Sequence, residues 1–191
     1  MTLFQTLFEW TQRTFGPLGS WGLFILAFME SSFFPIPPDL LLIILTLERP
    51  DLWLWLVGVC TLGSVLGGMF GYGIGKVGEE VLLRKFVKEK SIERVHKLFE
   101  KYEAWAIFIA GFTPIPYKVF TIAAGVFFVN FKRFIIASVF GRGLRFLIVG
   151  ALVAYFGQEI VAFIDRYFNI LTFVVVAAIL LVLWLRRRKK Q

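Results

Sequence analysis

The tripeptide Pro-Ile-Pro occurs twice, at residues 35–37 and 114–116, each time inside an apolar run and each time closely followed by a charge. The first copy reads Phe33-Phe34-Pro35-Ile36-Pro37-Pro38-Asp39, and the second Phe112-Thr113-Pro114-Ile115-Pro116-Tyr117-Lys118. Proline has no backbone donor and breaks a helix. Pro35, Pro37 and Pro38 therefore interrupt the first run, and Pro114 and Pro116 the second. What surrounds the breaks is too apolar for a soluble domain: 58% of the chain is hydrophobic and 18% charged. Several runs approach the roughly 20 residues that a helix needs to cross a bilayer. Two broken apolar segments in matching positions of two halves point to a transport site near the bilayer midplane.

The chain divides on this basis into three parts. Residues 1–16 form an interfacial amphipathic helix, with Leu3, Phe4, Leu7 and Phe8 on its apolar side. No basic leader or small-residue cleavage site marks them as a signal peptide. Residues 17–160 form the membrane domain: broken segments at about 21–47 and 105–128, spans at about 52–76 and 131–156, and an amphipathic loop at 79–103. Residues 161–191 are a final transmembrane helix and a basic tail.

Lysine and arginine concentrate between Arg84 and Lys101 and again in Arg186–Lys190. Basic loops stay on the cytoplasmic side, which explains this charge more simply than nucleic acid does. Two continuous spans between the loop and the tail already return the chain to the same side. The second broken segment must then enter and leave from the cytoplasm, and the first, by the same logic, from outside. The expected fold is an all-α polytopic membrane protein with two opposed re-entrant helical hairpins plus transmembrane spans, arranged as an inverted repeat. The offset between Pro35 and Pro114 is 79 residues, which also pairs Phe33 with Phe112, Gly71 with Gly150 and Asp39 with Lys118. The predicted location is a bacterial inner membrane with the C-terminus cytoplasmic.

Charges inside the apolar runs are the candidate functional groups. Glu30 and Asp39 flank the first break, where a carboxylate costs about 2.5–3.5 kcal/mol on insertion scales. They are candidate proton carriers. For Asp39 the alternative is to cap the following short helix. Arg142 and Arg145 lie three apart, hence on one helix face together with Ser138. Guanidinium matches phosphate geometry, so the pair is a candidate headgroup site; the alternative is an ion network with Glu30 and Asp39. Lys118 is a third candidate phosphate ligand, or else snorkels to the interface. Gly63, Gly67, Gly71 and Gly75 recur every four residues and predict a face for close helix packing.

Other chemistry finds less support. His96 is the lone histidine and lies in the charged loop, and Cys60 is the lone cysteine. No catalytic residue, metal site, disulfide or cofactor is expected.

Together, Glu30…Pro35-Ile36-Pro37-Pro38-Asp39, Gly71-Tyr72-x-x-Gly75-Lys76 and Gly111-Phe112-x-Pro114…Ala124-Gly125 resemble the DedA family, whose shared region is the VTT or SNARE-associated domain. The form of residues 113–118 looks like its YqaA-like branch. The resemblance spans roughly residues 20 to 160. It implies a lipid translocase, since family members are thought to move lipids such as undecaprenyl phosphate and phosphatidylethanolamine, some with proton coupling. It maps the family's acidic pair onto Glu30 and Asp39. Where the better-known branch carries arginines around the second hairpin, this sequence has Gly111 and Tyr117, with Lys118, Arg142 and Arg145 as candidate replacements. The expected partners are membrane lipids with anionic phosphate headgroups, and protons. Rival functions are a passive scramblase, an ion or small-solute transporter, an intramembrane lipid phosphatase and a structural membrane organiser.

Overall fold

The structure is a computed structural model that describes residues 3–78, 104–113, 115–157 and 159. The expected loop at 79–103, Pro114, and the expected final span and tail lie outside the described residues. Every regular element among the described residues is helical. We number the helices α1 (Leu3–Phe15), α2 (Gly19–Ser32), α3 (Asp39–Glu48), α4 (Trp53–Val77), α5 (residues 104–112), α6 (Tyr117–Val126) and α7 (Phe131–Phe156). Single 3-10 turns, Gly16–Leu18 and Pro50–Leu52, lead into α2 and α4.

Helix lengths separate two classes of element. At 1.5 Å per residue, the 25 residues of α4 and the 26 of α7 reach about 38 Å, enough to cross a hydrocarbon core of about 30 Å. Both are apolar enough to do so. The 14 residues of α2 and the 10 each of α3 and α6 are too short to cross alone.

α2 stops where the prolines begin. The N–H groups of Phe33 and Phe34 both donate to the carbonyl of Met29 at 2.8 Å, after which Pro35, Pro37 and Pro38 offer no further donors. α3 then buries Leu40 through Thr46 without interruption, so it is enclosed on all sides and not laid on a surface.

α4 is the central helix, packed along α2, α6 and α7. Its glycines permit this. A side chain at Gly67 would collide with the carbonyl of Phe28 on α2, and one at Gly75 with the carbonyl of Ile122 on α6. Gly63 lies against the carbonyl of Phe24 a little less tightly, at 2.5 Å from an added Cβ, and Gly71 against the Thr121 hydroxyl at the same distance. The stripe thus serves two neighbours, α2 with its first half and α6 with its second. Gly125 of α6 answers from the other side against the carbonyl of Tyr72.

α7 begins at Asn130, whose side-chain oxygen accepts from the backbone N–H groups of Lys132 at 3.1 Å and Arg133 at 3.2 Å. This is an N-cap that satisfies otherwise orphaned donors. Asn130→Ala is expected to cost about 1 kcal/mol, measurable as a lower unfolding midpoint of the purified protein in detergent micelles.

The core falls into two apolar clusters. One gathers Leu23, Leu26, Leu41, Leu42, Cys60 and Phe146, among others. The second gathers Tyr72, Ile107, Tyr117, Ala124 and Phe134. Along α4 the order is Cys60, then Ser64, then Tyr72; along α7 it is Phe134, then Ser138 and Arg142, then Phe146. A layer of buried polar groups therefore separates the clusters. Outward faces are apolar: Leu62 and Phe70 on α4 and Ile136, Phe140 and Leu144 on α7 are exposed, as suits helices in contact with lipid.

Candidate functional site

The polar layer is built from both broken segments and both spans. The last turn of α2 brings Glu30 and Ser31, α3 opens with Asp39, α4 brings Ser64, α6 brings Tyr117 and Lys118, and α7 brings Ser138, Arg142 and Arg145.

Arg142 is the most enclosed of the charges, with 3% of its side chain exposed. Its Nη2 donates to Glu30 Oε2, and its Nε donates to Ser64 Oγ at 2.6 Å. Ser64 and Ser31 share a hydrogen bond of 2.7 Å, and the Ser31 hydroxyl also reaches Glu30 Oε2 at 3.2 Å. The guanidinium lies over the rings of Tyr117, 5.2 Å from its centroid, and Phe146, at 4.7 Å, where ring quadrupoles attract a cation. Tyr117 is itself buried and donates from its hydroxyl to Ser138, which donates on to the carbonyl of Phe134 at 2.6 Å.

One helical turn further, Arg145 grips Asp39 with two parallel bonds, Nε to Oδ1 and Nη2 to Oδ2, each 3.0 Å. This is the fork geometry that makes arginine–carboxylate pairs strong. The carboxylate does not cap α3: Pro38 holds the N-cap position and no side chain caps the helix.

Lys118 belongs to neither ion pair. Its Nζ donates to the carbonyl of Phe34 at 3.2 Å, so the residue just after the second break holds the backbone just before the first. Phe34 in turn lies beside Trp10 of α1, with ring centroids 6.3 Å apart.

The structure thus brings together Glu30, Asp39, Arg142, Arg145 and Lys118, as two ion pairs and one lysine. Pro35, Pro37 and Pro38 lie between α2 and α3, and Pro116 immediately precedes α6. Ser31, Ser64 and Tyr117 also belong to the site, although nothing in the sequence marks them as partners of these charges. Isolated serines carry no periodic signal, although Ser64 sits between Gly63 and Gly67 on the packed face of α4. Tyr72 does not enter the site; its hydroxyl donates to the carbonyl of Val129 at 2.8 Å. Among the described residues no three His, Cys, Asp or Glu side chains gather as a metal site would require.

Comparison with known proteins adds a family match. The model of the VTT domain matches residues 36–158. An uncharacterized protein of Haemophilus influenzae is 33% identical over 178 residues, which are 92% of this chain and 91% of that protein. The protein named undecaprenyl phosphate transporter A of Staphylococcus aureus is 28% identical over 132 residues, 63% of this chain and 65% of its own. One named alkaline phosphatase-like protein, from Lactococcus lactis, is 26% identical over 181 residues, 86% of this chain and 84% of its own. No solved structure matches the chain.

Proposed function

The chain belongs to the VTT-domain (DedA) family, and on that premise we propose that it is a membrane lipid translocase for a phosphate-bearing lipid. A polyprenyl phosphate or a phospholipid fits this class, and the name of the Staphylococcus aureus relative favours the former. The carrying observation is the pair of largely enclosed ion bridges, Glu30–Arg142 and Asp39–Arg145, set between two proline-broken segments. Charges in hydrocarbon are costly and mark pathways for substrates and ions.

In the proposed mechanism the carboxylates hold the arginines until the substrate arrives. A proton on Glu30 or Asp39 cancels that acid's charge and frees its arginine for the phosphate. The freed arginine thereby exchanges one anionic partner for another. The broken segments shift and expose the headgroup to the other side while the acyl or prenyl tail stays in lipid. Re-entrant hairpins and an inverted repeat belong to the same proposal. They draw support from helices too short to cross alone, and from the 79-residue offset, which carries Val77 at the end of α4 onto Phe156 at the end of α7. The basic tail favours an inner-membrane protein with its C-terminus in the cytoplasm.

Reconstitution in vesicles tests this reading. Labelled lipid phosphate is expected to cross faster with protein than without, and faster still with a pH gradient. Unchanged movement would sink the translocase. Movement that ignores the gradient and survives Glu30→Gln and Asp39→Asn would leave a passive scramblase. Release of inorganic phosphate from the lipid would replace transport by the phosphatase that one relative's name suggests.

A further inference from the structure

We infer that Lys118 is the residue that recognises the headgroup, and that it selects lipids whose phosphate leaves them net negative over zwitterionic ones. The inference rests on the lipid reading above but reaches a different group, because among the described residues Lys118 is the uncompensated charge of the layer. Glu30 and Arg142 cancel each other, as do Asp39 and Arg145. Among the described residues Lys118 faces no carboxylate; its partner is a neutral backbone carbonyl. The five charges therefore sum to +1.

Access separates the cations in the same way. Arg142 is enclosed by Glu30, Ser64 and two aromatic rings, and Arg145 spends two donors on Asp39. An anion reaches either one only by displacing a carboxylate. Lys118 is half-buried and spends one donor on Phe34. An ammonium has three donors, so two remain for phosphate oxygens without the loss of any ion pair. A net anion neutralises the layer. A zwitterion adds no net charge and leaves +1 in a medium that penalises it. Because the resting partner of Lys118 is the backbone of the first break, headgroup capture after the second break is felt at both.

The full chain in detergent micelles provides the test through its thermal midpoint. Phosphatidylglycerol is expected to raise the midpoint, whereas phosphatidylcholine and inorganic phosphate at the same concentration are not. Lys118→Gln is expected to abolish the rise and Lys118→Arg to keep it. In vesicles Lys118→Gln is expected to slow phosphatidylglycerol movement at least tenfold and to leave phosphatidylcholine unchanged. An equal rise in Lys118→Gln, or an equal rise with phosphatidylcholine, overturns the inference. A rise with inorganic phosphate alone makes the ligand a free anion and overturns its lipid part. Slowing of both lipids alike makes Lys118 a structural tether only. A Lys118-dependent rise without any lipid movement ends the translocase reading and leaves the recognition residue standing.

Discussion

Glu30→Ala is expected to destabilise the protein by about 3–5 kcal/mol, the usual cost of removing one partner of a buried ion pair. The site gives reason to expect the full effect. Arg142 is 3% exposed and cannot turn to water, and its Nη2 would lose its acceptor. Ser64 would remain on Nε, but a hydroxyl does not balance a charge. Removing both charges should therefore be much milder than removing one: Glu30→Ala with Arg142→Met is expected to recover most of the loss, since apolar replacements of buried pairs are often neutral. Unfolding in micelles, followed by tryptophan fluorescence, measures both. A double variant as unstable as the single one would mean that the helices and not the charges hold the layer together.

The second large effect concerns the glycines of α4. Gly67→Val is expected to cost about 3 kcal/mol or more, at the upper end of overpacking penalties, because the obstacle is the backbone carbonyl of Phe28 and no rotamer change can move it aside. Gly73 provides the internal control. It lies on the same helix, yet a Cβ there meets nothing within 4 Å. Gly73→Ala is expected to stabilise by about 0.5–1 kcal/mol, as alanine does in place of glycine within a helix. Opposite signs at two glycines six residues apart would show that contact and not helix propensity decides. A loss at both would assign the glycines to flexibility instead.

Much of the architecture was legible because its causes are local. Proline ends α2 before Pro35, and apolar length marks α4 and α7. Partners were harder to read. Glu30 and Arg142 are separated by 112 residues, and nothing in a single sequence says which acid meets which arginine. The four-residue glycine period predicted a packed face but not that two different helices share it. Asp39 had two local roles open to it, and tertiary contact with Arg145 took the carboxylate away from the helix end. Tyr117 stood out only as a departure from the family's arginine; its place beneath the Arg142 guanidinium follows from the packing of both α6 and α7 on α4, which no local pattern encodes.

Glu30 and Asp39 stand at opposite ends of the first break, yet both are tied to α7, by residues three apart. Side chains at that spacing emerge about 5–6 Å from each other on a rigid helix. The width of the gap between α2 and α3 is therefore gauged by α7 and not by the segment that bridges it. Moving Arg145 by a single position would release one end of that gap, since a shift of one residue turns a side chain about 100° around the helix and leaves Asp39 with nothing to hold.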